Sequence, residues 1–541
     1  MAPFGMHRRE FLGAMSLGLA GAAVSALPGA AWAQMPRGGR MGMGMGGGMG
    51  RMVGAGTPIA DPPVGALLSE PILATNVGTS PGLVEVNLEA RMATLDVGGL
   101  PARLLTYNGQ FPGPTIRVRR GDILKVNFTN RLPEIAGRNP LGFRRHVTNL
   151  HTHGWHVSPE EPADFVMYSL RHGESYHHEY DTSTQPGGTL CFYHTHQHGV
   201  SAEQFWAGMV GALIVEDEIS SLQEFETHLL ILKDLSIVNG EPVAHAHMHA
   251  FMHGMEGDMV MVNGQVNPRL SLKAGQIQRW RILNASNARF YKLALESHQL
   301  YLIGTDGGLL DQPYPVSELL LSPGERVDVL VRADRKSGTH RLRALPYARM
   351  GMGGMGMGRG MACSGMMGAG TGSLQALTLM TVSYADAAPA AQRLPASINP
   401  AARRLDPAAL PIAAERHLVL GMKHGRGYIN GQDFDVRPYT ITSKRGTYER
   451  WTISNPSGMD HPFHQHVNAA QVLSVTGGDP GYASLYARIP ALKDTVLVPM
   501  GGSVTMLVPV KDFEGMAMFH CHILEHEDIG MMGVWNIGMG M

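Results

Sequence analysis

Residues 116–119, Ile-Arg-Val-Arg, alternate apolar and polar side chains, and the same period of two returns at 278–282 and 327–331. Such alternation turns one face of an extended chain to a core and the other to solvent, so these runs predict half-buried β-strands. Stretches with a 3.6-residue helical period are scarce, and the chain reads as all-β. A repeat sets the architecture. Asn108-Gly109-Gln110, Asn263-Gly264-Gln265 and Asn430-Gly431-Gln432 each carry an Asn-Gly turn signal. Each is followed by a strand-like decapeptide from Gly to Asn, at 121–130, 275–284 and 446–455. One recurrence per domain length points to three copies of one domain rather than to a solenoid.

The 541-residue length fits about three domains of ordinary size. The expected boundaries are 66–220, 221–384 and 412–541, with the Ala/Pro-rich stretch 385–411 joining the second copy to the third. A formal net charge of -1 gives no argument for a nucleic-acid partner. Cys191, Cys363 and Cys521 are the only cysteines, too few for a disulfide framework. Cys191 lies in a strand-like run and reads as a small buried apolar residue. A bridge from Cys191 to Cys363 has no support in the sequence.

Before the first copy, His7-Arg8-Arg9 precedes an apolar, Gly/Ala-rich run over 11–27, and Ala31-Trp32-Ala33 has the small-x-small form of a cleavage site. The run is too short and too weakly apolar for a good membrane span. Residues 1–33 therefore read as a twin-arginine-type export signal, and the mature chain is expected in the periplasm without stable membrane insertion. Residues 34–65, mostly Gly, Met, Arg and Pro, cannot bury a core and are expected to be disordered.

The chemistry gathers in residues 519–531, Phe-His-Cys-His-Ile-Leu-Glu-His-Glu-Asp-Ile-Gly-Met. On a strand, His520 and His522 point one way and Cys521 the other, so one strand can serve two metal sites. Cys521, His526 and Met531 offer a thiolate, an imidazole and a thioether. A second imidazole completes the His₂Cys set with weak axial Met of a blue-copper centre, and His461 supplies it. His464 and His466 then join His520 and His522. Two more His-x-His pairs, His151/His153 and His194/His196, lie in the first copy, making four. The middle copy, with Ser297-His298-Gln299 in place of a pair, has none there. A cluster using all four pairs must lie between the first and third copies, with the middle one as a spacer.

These four motifs, in this order, closely resemble those of the multicopper oxidases, the family of laccases, ascorbate oxidase and bacterial cuprous oxidases. The resemblance covers nearly the whole mature chain and implies three cupredoxin-like Greek-key domains holding four copper ions. By it, His461, Cys521 and His526 bind a type 1 copper with Met531 axial, and His151 and His464 hold a type 2 copper. His153, His194, His196, His466, His520 and His522 hold a type 3 pair. Dioxygen is the implied acceptor, reduced to water by four one-electron oxidations. Glu527 and Asp164 match proton-relaying acids of the family by position, and each is equally a group that orients ligand histidines. His156, His172, His177, His178 and His198 show no partner pattern. A copper-sequestering protein and a copper nitrite reductase fit less well, because both leave the paired histidines unexplained. A monomer is expected.

Methionine is concentrated in the tail, in residues 245–261 and in residues 350–367. Thioethers favour Cu(I), and Gly-rich sequence does not pack methionine into a core. Cu(I) is the expected reductant, with phenols and aromatic amines as the alternative of a plain laccase whose Met-rich segments only store copper. The cuprous oxidases carry their Met-rich insert before the third Asn-Gly turn, where residues 421–427 here are short. Met459 and Asp460, next to His461, are candidate Cu(I) contacts. Deleting residues 351–370 from the copper-loaded chain is expected to abolish oxygen consumption with Cu(I) and to spare or raise it with a phenol. Equal behaviour of both substrates would make the segment an inert insert.

Overall fold

The computed structural model describes residues 61–335, 337–350, 375–385 and 391–538. The expected export signal, nearly all of the Met-rich tail, residues 351–367 with Cys363, and part of the Ala/Pro-rich connection lie outside the described residues.

Six sheets pair into three sandwiches, and the all-β expectation holds. In the first copy a sheet of Leu100–Tyr107, Leu83–Val97, Ile123–Arg131 and Ser175–Asp181 shares its core with one of Gly113–Val118, Val210–Val215, Leu190–His194 and His151–His153. The other copies repeat this plan with six-stranded and five-stranded sheets. The repeated decapeptides explain the likeness. Each forms a strand lying parallel to the first long strand of its copy, with Leu88 beside Phe128, Leu230 beside Ile282 and Leu418 beside Ile453. Parallel neighbours need a crossover rather than a hairpin, which is what makes the sandwich more than a meander.

The repeated polar residues are structural. Gly121, Gly275 and Gly446 open these strands at φ +92°, +90° and +83°, a left-handed turn that side chains resist. Asn108, Asn263 and Asn430 turn at φ 54°, 53° and 57°, and their Oδ1 atoms accept the backbone N–H of Glu89, Ile231 and Val419. The Asn at each decapeptide's end does more. Asn130, Asn284 and Asn455 each accept the N–H two residues on and donate Nδ2 to two carbonyls of other loops. One buried amide thus closes the end of each sandwich.

The expectation of half-buried strands fails in the middle copy. Every residue of Ile277–Asn284 is buried, as are all but the last of Arg326–Arg332. Their polar face lies against the first copy. Arg279 pairs with Asp217 and Asp328, and Arg281 donates to Gly188 O and pairs with Asp328. Charges that alternate with apolar residues here are partners across an interface, and burial is tolerated because each is paired.

The copies are also joined through apolar cores. One cluster runs from Trp280 and Leu293 of the middle copy into Trp451 and Phe519 of the third. Another gathers Phe192 and Phe205 of the first copy, Leu229 and Ile231 of the second and Leu524 of the third.

Replacing Asn284 by Ala would strand one N–H and two carbonyls in the middle copy while leaving the backbone bond of its own carbonyl to Gly324 N in place. A loss of about 2–4 kcal/mol is expected, read as a lower unfolding midpoint at a fixed scan rate with an unchanged copper content.

Candidate metal centre

Cys521 ends the strand Gly515–Cys521, and the short helix Leu524–Asp528 turns the chain back beneath it. That turn brings His526 Nδ1 to 3.5 Å from Cys521 Sγ, and His461 Nδ1, from the neighbouring strand His461–Gln465, to 3.4 Å. The two Nδ1 atoms are 3.2 Å apart. The far nitrogens are tied back. His461 Nε2 donates to Ser457 Oγ at 2.9 Å, and that hydroxyl donates to Asn455, the repeated amide. His526 Nε2 donates to Met252 O at 3.3 Å. Both rings therefore hold the tautomer that leaves Nδ1 as a lone pair facing sulfur. Burial pushes the Cys521 thiol well up and holds His461 neutral, with a pKa of about 3. A thiolate persists in such a place only beside a cation.

Met531 is fully buried and follows the same loop. Its N–H donates to His526 O, and its carbonyl accepts from Cys521 N. Gly427 passes so close that a Cβ there would stand 2.7 Å from Met531 Cβ, so the short loop must carry glycine to fit.

On the other side of Cys521 lies the second constellation. Two antiparallel pairings set it up, His151 opposite His194 in the first copy and His464 opposite His520 in the third. The two copies then interleave their rings. His153 stacks on His464 with centroids 3.7 Å apart, and His151 on His466 at 4.1 Å. His196 Nε2 reaches His520 Nε2 at 3.2 Å, with His466 Nε2 3.4 Å from the same atom. His522 stands edge-on to His153 and His194. All four pairs thus meet between the first and third copies.

These rings are also oriented for metal. His151 Nδ1 bonds Asp164 at 2.8 Å, His194 Nδ1 bonds Thr195 O at 2.7 Å, and His464 Nδ1 bonds Asp494 O at 3.0 Å. The opposite nitrogens, His151 Nε2, His194 Nε2 and His464 Nε2, are buried with no hydrogen-bond partner, as are His153 Nδ1 and both nitrogens of His522. Burial and mutual repulsion push His151, His153, His194, His196, His466, His520 and His522 well below the usual imidazole range. Unpartnered imidazole nitrogens converging in a buried site are a donor set for metal ions.

Two carboxylates singled out in the sequence lie here. Asp164 Oδ1 accepts from Thr152 N and Oγ1, so this residue holds His151 in place, and burial raises its pKa to about 6. Glu527 lies between the constellations, 3.6 Å from His196 Nδ1 and 3.4 Å from His520 Nδ1, and burial holds its carboxyl far above the usual range.

A third carboxylate escaped the sequence reading. Asp494 Oδ1 accepts from His153 Nε2 at 3.2 Å, and both its oxygens take the Arg326 guanidinium at 2.6 Å. Its signal was Lys493-Asp494, two adjacent charges inside the apolar run 489–500. Lys493 is buried too and pairs with Asp306 and Glu325. Arg326, Asp306 and Glu325 all belong to the middle copy, and Gly324 lies against the His522 ring. The middle copy is a support for the histidine cluster as well as a spacer.

The Met-rich stretch 245–261 reaches the cysteine centre. Its helix Met248–His253 provides the carbonyl that His526 binds, and buried His245 donates to Glu525 at 2.8 Å. Of the two candidates before His461, Asp460 is fully engaged: Oδ2 accepts from Tyr347 Oη and Oδ1 from Met500 N. Met459 pairs through its backbone with Met350 and is nearly buried.

The sequence profile of the multicopper oxidases matches this chain over residues 89–220, 229–356 and 410–540. The chain belongs to the multicopper oxidases. A multicopper oxidase, mco, of Staphylococcus haemolyticus is 28% identical over 440 residues, 79% of this chain and 83% of its own length. The cell division protein FtsP of Xenorhabdus nematophila is 30% identical over 441 residues, again 79% and 83%. A solved multicopper oxidase of Campylobacter jejuni, described as a metallo-oxidase, matches with a TM-score of 0.73 at 27% identity, over 88% of this chain and 96% of that one. Copper is the metal that the family implies, and a thiolate with imidazoles on one side and clustered imidazoles on the other suit it.

In this oxidase, Asp494→Asn is expected to loosen copper at the histidine cluster by about 10–100-fold, because the ring it orients loses its anion. The blue absorption of the Cys521 centre should survive. Metal analysis after dialysis and electron paramagnetic resonance check both.

Proposed function

We propose that this multicopper oxidase takes electrons singly from Cu(I), or from phenols as well, and passes them to dioxygen, giving water. The observation that carries this reading is the division of labour at 520–522, where Cys521 faces one constellation and its two neighbours face the other. His461, Cys521 and His526, with Met531, would hold a type 1 copper. His151 and His464 would hold a type 2 copper, and His153, His194, His196, His466, His520 and His522 a type 3 pair. Bound copper supplies one-electron transfer on the Cys521 side and oxygen reduction on the histidine side.

The chain's own residues do the rest. The backbone of Cys521 continues into both His520 and His522, so the route between the two sides is covalent and short. Glu527, kept protonated by burial 3.4 Å from His520 Nδ1, is placed to give a proton into the cluster. Asp164 orients His151 and, with its pKa near neutrality, is able to exchange a proton as well. The reading of Cu(I) as reductant is supported by Met459, two residues before His461 in the chain, and by the Met-containing helix Met248–His253, whose Met252 carbonyl bonds His526. The engaged carboxylate of Asp460 argues for a role in holding the turn rather than the substrate. The Arg-Arg and Ala-Trp-Ala signals support work in the periplasm after export.

A plain laccase is the second reading, favoured by any result in which Met459 is irrelevant to turnover. A non-oxidising relative of the division proteins would leave the unpartnered imidazoles and Cys521 without a purpose.

Oxygen consumption by the copper-loaded chain separates these. Met459→Leu is expected to raise KM for Cu(I) by about tenfold, one lost soft ligand, and to leave KM for a phenol unchanged. Cys521→Ser is expected to reduce consumption with both substrates to background. Equal KM values for Cu(I) in wild type and Met459→Leu would favour the laccase, and turnover surviving in Cys521→Ser would remove the oxidase mechanism altogether.

A further inference from the structure

The Met248–His253 helix carries a feature that the oxidase mechanism leaves unused. His249 and His253 are one turn apart on one face, with ring centroids 4.3 Å apart and planes tilted by 48°. His249 is open to solvent, while His253 is half-buried and its Nδ1 is buried without a partner.

The helix is held firmly enough to keep the pair together. Phe251 is fully buried against the His245 ring, and Met252 O and His253 O accept from His526 Nε2 and Arg349 Nη2. The Met248 methyl lies over the Gly425 turn of the third copy, where an added Cβ would meet it at 3.6 Å. Gly254, at φ +69°, ends the helix and sits tightly against Ala288 and Ile523. Arg349, which donates to His253 O, is itself paired with Glu256 at 2.8 Å.

We propose that His249 and His253 form a separate copper site, which takes Cu(II) once the substrate has been oxidised. The inference rests on Cu(I) as the reductant. Cu(I) suits thioethers and Cu(II) suits imidazole, so loss of one electron changes which side chains hold the ion best. The electron passes to the Cys521 side and finally to dioxygen. The ion sheds thioether sulfur and takes two imidazole nitrogens with water, and any proton carried by a ring nitrogen that ligates is released to solvent. The pair is one residue from Met252, whose carbonyl holds His526, and its exposed member opens to solvent. Product would therefore leave toward the outside and would not rebind at the thioethers.

The test uses untagged, fully copper-loaded, desalted protein titrated with Cu(II) alone. Wild type is expected to bind one more equivalent of Cu(II) than His249→Ala at matched concentrations, with an electron paramagnetic resonance signal split by nitrogen. His249→Gln and His253→Ala should weaken that equivalent by about tenfold or more. Blue absorption and the unfolding midpoint report whether each variant is intact, and exposed His249 makes its variants the decisive ones. Equal Cu(II) binding by wild type and intact His249→Ala overturns the site. Retention of the extra equivalent as Cu(I) rather than Cu(II), measured in a parallel anaerobic Cu(I) titration, overturns its assignment to product. Failure of wild type to consume oxygen with Cu(I) would instead strike the reductant reading, and the Cu(II) titration does not depend on that result.

Discussion

The alternation of a single strand is the constraint on which the rest depends. Residues 520, 521 and 522 send imidazole, thiol and imidazole to opposite faces because an extended chain has a period of two. A slip of one residue in the pairing of this strand with His461–Gln465 would swap the faces and destroy both constellations at once. The register is therefore held from several directions. Phe463 lies opposite Cys521 and His464 opposite His520, Cys521 N and His526 O are both tied to Met531, and Asn455 fixes the entry to His461 through Ser457. The same amide in the other two copies, Asn130 and Asn284, performs the same closure for its own sandwich, so the turn before His461 uses a device that belongs to the fold.

Much of this could be read in the residues. The three Asn-Gly turns and the Gly-to-Asn decapeptides marked real strands, because turn chemistry and parallel pairing act locally and repeat. The four His-x-His pairs came together as expected because period-two alternation translates directly into facing. What stayed hidden was the partner of each charge. Arg279, Arg281, Arg326 and Asp328 sit in alternating runs that look solvated, and only the packing of the middle copy on its neighbours turns that polar face into an interface. Asp494 was hidden for the same reason, since its importance comes from His153 and Arg326, each more than a hundred residues away in the chain. The reach of residues 245–261 to His526 is likewise a matter of docking, which periodicity does not encode.

The middle copy acts on the chemistry from two ends. At the cluster, Arg326 binds the aspartate that orients His153, and a buried lysine with two carboxylates balances the charge. At the cysteine centre, a short helix supplies the carbonyl that sets the tautomer of His526. Neither end needs a copper ligand of its own. With no histidine pair in the corresponding positions, this copy uses its surfaces as the outer support of the constellations built by the other two.

Holding so many imidazoles together works against the fold. Seven of them, His151, His153, His194, His196, His466, His520 and His522, are pushed toward neutrality by burial and by their neighbours, and several buried ring nitrogens have no protein partner. Unpaired polar atoms of this kind cost roughly 1–3 kcal/mol apiece, so the site is stable only because the surrounding sandwiches are well packed and the other ring nitrogens are firmly bonded. The arrangement makes the metal an energetic part of the interface between the first and third copies. Copper bound by these nitrogens would relieve the same strain that the fold imposes, and so would stabilise the contact between the two copies that supply them.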